Sequence, residues 1–141
     1  MGFSKSDRER IFDRTSGKCH LCHKWLKLEN YGKVNAPGGW EVDHSKARAI
    51  GGAEHINNYY PACPSCNRSK GIKSSQSVRA ANGKKRPPLS STRRNKALDS
   101  QATSGAGLGA LAGYLVDPTG MLSAAGGILG AIFGRSKDPD E

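Results

Sequence analysis

The chain has 141 residues, and 22 Lys+Arg against 12 Asp+Glu give it a formal charge of +10. That length holds one domain of ordinary size, roughly 100–150 residues, or a smaller one with extensions, and leaves no room for a second of that size. Hydrophobic residues at 35% and aromatics at 6% make a thin core, so something besides apolar burial must help to hold the folded part together. The positive charge points to a polyanionic partner, nucleic acid or an anionic membrane surface, and carries no information about fold.

In chain order, the first predicted element is a helix near residues 5–15. Ser6 and Glu9 have capping-box spacing, and Ile11 and Phe12 supply an apolar edge. Gly17 ends it. Residues 25–34 read as an irregular strand, Ala36-Pro37-Gly38-Gly39 as a turn and Trp40–His44 as a second strand. A loop through Gly51-Gly52 follows, and a helix is expected from Pro64 to about Lys73.

Three compositional regions follow from the same pass. Residues 1–73 hold all four Cys, all four His and both Trp, and form the only part able to support a site. Residues 74–104 carry seven Lys+Arg and one acid among Ser, Pro-Pro and few large apolar residues, which predicts a disordered basic linker. Such a linker is either a phosphate-tracking tether or a solvated spacer. Residues 105–134 are rich in Gly, Ala, Leu and Ile, and Asp117-Pro118-Thr119-Gly120 divides them. Gly105, Gly109 and Gly113, then Gly126, Gly130 and Gly134, recur every fourth residue, a spacing that clears one helix face for close approach. Each half reaches only about 20 Å as a helix against a bilayer core of about 30 Å. A glycine-zipper helical hairpin is therefore expected, for membrane association or self-association, with a flexible tail as the alternative. Residues 135–141 are a polar tail.

Two CxxC knuckles, Cys19/Cys22 and Cys63/Cys66, dominate the first region. Two intervening residues let the chain turn tightly enough to bring both thiolates of a knuckle to one ion, and two knuckles complete a tetrahedral set suited to Zn²⁺. The closed set has no open coordination position, which predicts a structural zinc that compensates for the thin core. Two disulfides are the alternative. The N-terminus lacks a charged segment followed by an apolar run, so a cytoplasmic setting, with membrane attachment through the hairpin, is expected and favours metal over disulfides. His20 and His23 flank the first knuckle and are spare ligands.

Between the knuckles lie Asp43-His44, Gly51-Gly52 and Asn57-Asn58, and Asn67 follows Cys66. The string WEVDHSKARAIGGAEHINNYYPACPSCNRSKG resembles the HNH endonuclease family, and with the knuckles the resemblance covers about residues 6–73. It implies an α+β chain whose small zinc-stabilised ββα-metal domain carries an N-terminal helix. In that family His44 matches the general base that activates water, and Asp43 a ligand of the catalytic divalent ion. Asn58 matches the residue bracing the loop that carries the base, and Asn67, where the family has His or Asn, a second metal ligand. The chain is an H-N-N variant.

The chemistry is consistent with the residues themselves. Phosphodiester hydrolysis needs a base near neutrality, and an imidazole of pKa about 6.5 suits it. A carboxylate and an amide oxygen are hard donors suited to Mg²⁺ or Mn²⁺. Lys46, Arg48, Arg68 and Lys70 are candidate phosphate contacts, with Lys70 the preferred clamp. Neighbours along a strand point to opposite faces, so Asp43 and His44 meet at one phosphate only where the strand ends or bends. Trp40, Tyr59 and Tyr60 are read as packing residues and His55 as a loop residue.

The expected function is metal-dependent cleavage of DNA, as nicks or double-strand cuts; the sequence does not separate DNA from RNA. Two alternatives stand beside it: a non-catalytic zinc-containing nucleic-acid-binding module, and a membrane-active glycine-zipper protein carrying a nuclease cargo, as an antibacterial or anti-phage effector would.

Overall fold

A computed structural model describes residues 2–101 and Asp140; the predicted glycine-zipper hairpin lies outside the described residues. The chain divides into two compact units, Met1–Ser91 and Thr92–Glu141. Within the first, the elements are α1 (Lys5–Asp13), β1 (Glu41–His44), β2 (Tyr59–Ala62), α2 (Pro64–Lys70) and α3 (Ser75–Ala81), with single 3₁₀ turns at Leu28–Asn30, Arg48–Ile50 and Ile56–Asn58. In the second, the described stretch is helical to residue 101, and Arg94 pairs with Asp140 at 2.7 Å. No helix among the described residues is long and apolar enough to cross a membrane.

α1 starts two residues earlier than the capping-box reading. Ser4, not Ser6, is the N-cap, and its hydroxyl accepts from the Asp7 amide at 3.1 Å. Such a cap contributes about 1 kcal/mol, and Ile11 on the same helix is fully buried. The strand expected over 25–34 is absent from the described fold. Two isolated bridges, Lys18↔Trp25 and Tyr31↔Trp40, stand in its place, and the chain between them is occupied by the 28–30 turn.

The sheet is one antiparallel pair in which Glu41 faces Ala62, Val42 Pro61, Asp43 Tyr60 and His44 Tyr59. Trp40, entering β1, is fully buried, with Phe12 and Tyr31 rings 5.3 and 5.0 Å away. Ile11, Leu21, Leu26 and Ala62 complete a small core. Arg14, just past α1, donates to the carbonyls of Ile56 and Tyr59 and to the Tyr60 hydroxyl, and its guanidinium lies 4.0 Å from the Tyr60 ring centroid. One cation thus ties α1 to the start of β2.

The basic segment after residue 73 departs from the disordered reading. It holds α3 and a helical stretch from residue 91. Composition was overridden by specific contacts: the Ser74 hydroxyl caps α3 by accepting from the Ser77 amide at 3.0 Å. The buried Ser75 hydroxyl donates to the Ser45 carbonyl at 3.0 Å, and Val78 packs on the core.

Candidate metal centre and active site

The two knuckles come together. Cys19, Cys22, Cys63 and Cys66 are free thiols whose sulfurs all lie within 4.8 Å of one another. The Cys22 and Cys63 sulfurs are 3.8 Å apart, which matches the edge of about 3.8 Å of a tetrahedron built on Zn–S bonds of about 2.3 Å. A disulfide would need sulfurs about 2.05 Å apart, so the donor set and its spacing fit Zn²⁺. The local backbone explains the turn. The Cys19 amide donates to Lys24 O at 2.8 Å and the His23 amide to Cys19 O at 2.9 Å, while His23 adopts φ 64° to close the first knuckle. Pro64 opens α2 beside the second.

The protons of the cluster tell the same story. Hydrogen bonding to Cys22, with burial, pushes the Cys19 thiol far up, and burial pushes Cys66 up to about 12. Hydrogen bonds from Cys19 and Cys22 push Cys63 down. A cation among the four sulfurs would favour the thiolate form of each.

His20 is no spare ligand. Its ring is buried, its Nε2 lies 2.7 Å from Asp43 Oδ2, and it stacks on Tyr60 at 5.0 Å. Burial holds its pKa below the ordinary histidine value against the pull of Asp43. The neutral ring therefore donates from Nε2 to the carboxylate and leaves Nδ1, buried without a partner, as a bare acceptor. His23 turns its Nε2 to Arg86 O at 3.0 Å.

β1 runs straight through the Asp43-His44 pair, and alternation separates the two side chains. Asp43 lies inside, 5% exposed, with Oδ2 on His20 and Oδ1 accepting from Lys70 Nζ at 3.0 Å. The two side chains thus leave opposite faces of β1. Both Asp43 oxygens are engaged, one of them by the Lys70 ammonium. Lys70, expected as the phosphate clamp, turns inward. It is 1% exposed and donates to Asp43 and, at 2.7 Å, to His44 O, so it fixes the strand end from within and clamps no external phosphate.

His44 lies across β1 from Asp43, at the last position of the strand. Its Nε2 is 3.1 Å from Glu54 Oε1, and its ring meets Tyr59 edge-on at 5.0 Å. The Glu54 carboxylate also receives Arg48 Nε at 2.7 Å and the Tyr59 hydroxyl at 3.0 Å. Tyr59 first, then His44 and Arg48, hold the Glu54 carboxyl below its usual range despite an opposing desolvation. An ionised carboxylate only accepts, so Nε2 of His44 donates to Glu54. Glu54 was missed in the sequence, where a lone acid in a loop ten residues from His44 gives no periodic signal.

Asn58 bridges the loop after His44. Its Oδ1 accepts from Lys46 N at 2.8 Å, and its Nδ2 donates to Lys46 O and Ala53 O, both at 3.0 Å. Gly52 lets that loop close, since a Cβ there would stand 1.9 Å from Lys46 O. Asn67 lies on the α2 side with Asp43, donating to Glu41 Oε2 at 3.0 Å, and Arg68 pairs loosely with Glu41 at 3.7 Å. Of the four predicted phosphate contacts, Lys46, Arg48 and Arg68 are exposed and Lys70 is not. Trp40 is core, Tyr60 packs between His20 and Arg14, and His55 stays in the loop with Nδ1 accepting from Asn57 N.

Residues 19–73 match the family model described as HNH endonuclease. No curated protein and no solved structure matches the chain.

Proposed function

We propose, from an HNH endonuclease domain at residues 19–73, that this protein hydrolyses DNA phosphodiester bonds with His44 as the general base. The observation that carries the reading is the His44–Glu54 pair at the end of β1. Glu54 fixes the proton on Nε2, and Nδ1 takes a proton from water as that water attacks phosphorus. The bond to the leaving oxygen then breaks. Asn58 holds the loop so that the base keeps its direction, and Lys46 and Arg48 supply cations beside it. Mg²⁺ or Mn²⁺ would neutralise charge on the phosphate and the leaving oxygen. Residues 105–134, on their glycine spacing, would add membrane association or self-association to this activity, an arrangement that suits an antibacterial or anti-phage effector.

The direct test is nicking of supercoiled plasmid by protein freed of loosely bound metal. Activity should vanish when the divalent ion is omitted and return with Mg²⁺ or Mn²⁺ alone, while bound zinc stays at one per chain. Nicking that ignores Mg²⁺ and Mn²⁺ would contradict the metal-dependent reading, and no nicking under any condition would favour a binding module.

Glu54 gives a second outcome. Glu54→Ala should lower kcat by about 10- to 100-fold with KM little changed, because an orienting carboxylate acts through the base and touches no substrate. Glu54→Gln, whose amide oxygen still accepts from His44, should recover much of the loss. A rise in KM at constant kcat would place Glu54 in substrate binding instead.

A further inference from the structure

α3 belongs to the first compact unit and lies beyond the segment that matches the family model. Together with the loop of residues 45–58 it walls a groove of about 710 Å³ lined by Lys46, Asn58, Ser74, Ser75, Gln76 and Arg79 among others. We infer that this groove binds the phosphodiester backbone of the nucleic-acid strand beside the site of cleavage, with Arg79 as its main phosphate contact. The inference rests on the nuclease reading above and extends it to a wall that the catalytic residues do not use.

Four observations carry it. Place is the first: Ser45 and Lys46, which line the groove, follow His44 in the chain, and Asn58, also in the lining, precedes Tyr59, the residue opposite His44 in the sheet. Charge is the second, since Lys46 and Arg79 line the groove and no carboxylate does. The third is Arg79 itself. Its Nε is buried and has no hydrogen-bond partner, and burial lowers its pKa with only Tyr60 acting the other way. A buried guanidinium N–H without an acceptor is costly, and the planar fork that carries it matches the oxygens of a phosphate. Rigidity is the fourth: Ser75 holds α3 to Ser45 by two contacts, Oγ to Oγ at 3.3 Å and Oγ to the carbonyl at 3.0 Å. On a helix Gln76 stands three residues before Arg79 and shares its face, so both present to one strand.

The test uses the full chain with His44→Ala, which keeps substrate intact, and fluorescence anisotropy of a labelled DNA duplex over a range of salt. Arg79→Gln and, independently, Gln76→Glu should each weaken binding about three- to tenfold. Arg79→Gln should also reduce the slope of log affinity against log salt by about one, the signature of one lost phosphate contact. Lys24→Gln, which removes an exposed cation at the first knuckle, should change affinity less than twofold. Zinc content and circular dichroism report folding, and if Arg79→Gln fails to fold, the exposed Gln76→Glu carries the test. Binding that neither groove substitution weakens more than Lys24→Gln does would overturn the groove while leaving the nuclease reading intact. Failure of the His44→Ala parent to bind duplex at all would overturn both.

Discussion

Stripping the zinc, or replacing Cys63 with serine, is expected to unfold the Met1–Ser91 unit. Its apolar core is little more than Ile11, Leu21, Leu26, Trp40 and Ala62, and a domain of this size has a total stability of only about 5–15 kcal/mol. Structural zinc in small folds supplies about 10–16 kcal/mol, comparable to the whole margin. The four sulfurs also join parts that little else joins: the first knuckle, tied to β2 through His20 N to Pro61 O at 3.0 Å, and the start of α2. Circular dichroism during titration with a strong chelator should show loss of helix and sheet together as zinc leaves. Acidification should do the same, because protons compete with the metal for the thiolates. A zinc-free protein with an unchanged melting profile would refute a structural role for the cluster.

Asp43→Ala is expected to act on stability before it acts on activity. The substitution leaves the Lys70 ammonium buried without its counter-charge, and breaking a buried pair in this way costs about 3–5 kcal/mol. For a domain of this size that corresponds to a fall in Tm of at least about 12 °C. Lys70→Met added to Asp43→Ala should return part of the loss, since the stranded charge is gone, and the non-additivity measures the coupling. A carboxylate serving only as an exposed metal ligand would behave otherwise: Asp43→Ala would abolish cleavage and leave Tm where it was. The network also links the zinc knuckle to the base, because His20 lies between two of the cysteines and Lys70 holds the His44 carbonyl. Loosening Asp43 therefore also loosens the strand end.

The strong local signals of the sequence translated directly into structure. Each CxxC spacing makes its own tight turn, the two knuckles meet as their shared ligand chemistry predicts, and Pro64 opens α2 where a proline is tolerated. The partners of Asp43 and Lys70 were not legible because a motif gives the order of residues and not the face of a strand on which each falls. Alternation along β1 decides that face, and it put Asp43 with His20 and Lys70 and His44 with Glu54. Glu54 and Arg14 carry no pattern of their own; each acquires its role from partners distant along the chain. α3 was hidden by composition, since Ser and basic residues read as linker until Ser75 meets the Ser45 carbonyl. The 25–34 strand failed because two separate bridges at Trp25 and Tyr31 hold that chain without a ladder.

The most direct measurement of the account is nicking of supercoiled DNA by the wild-type protein and by His44→Ala side by side in Mg²⁺ or Mn²⁺. Loss of a positioned general base should slow cleavage by about 10²–10⁴-fold, with zinc at one per chain and duplex affinity within a few-fold of wild type. Cleavage by His44→Ala at the wild-type rate would show that His44 is not the base, and the mechanism built on it would fall.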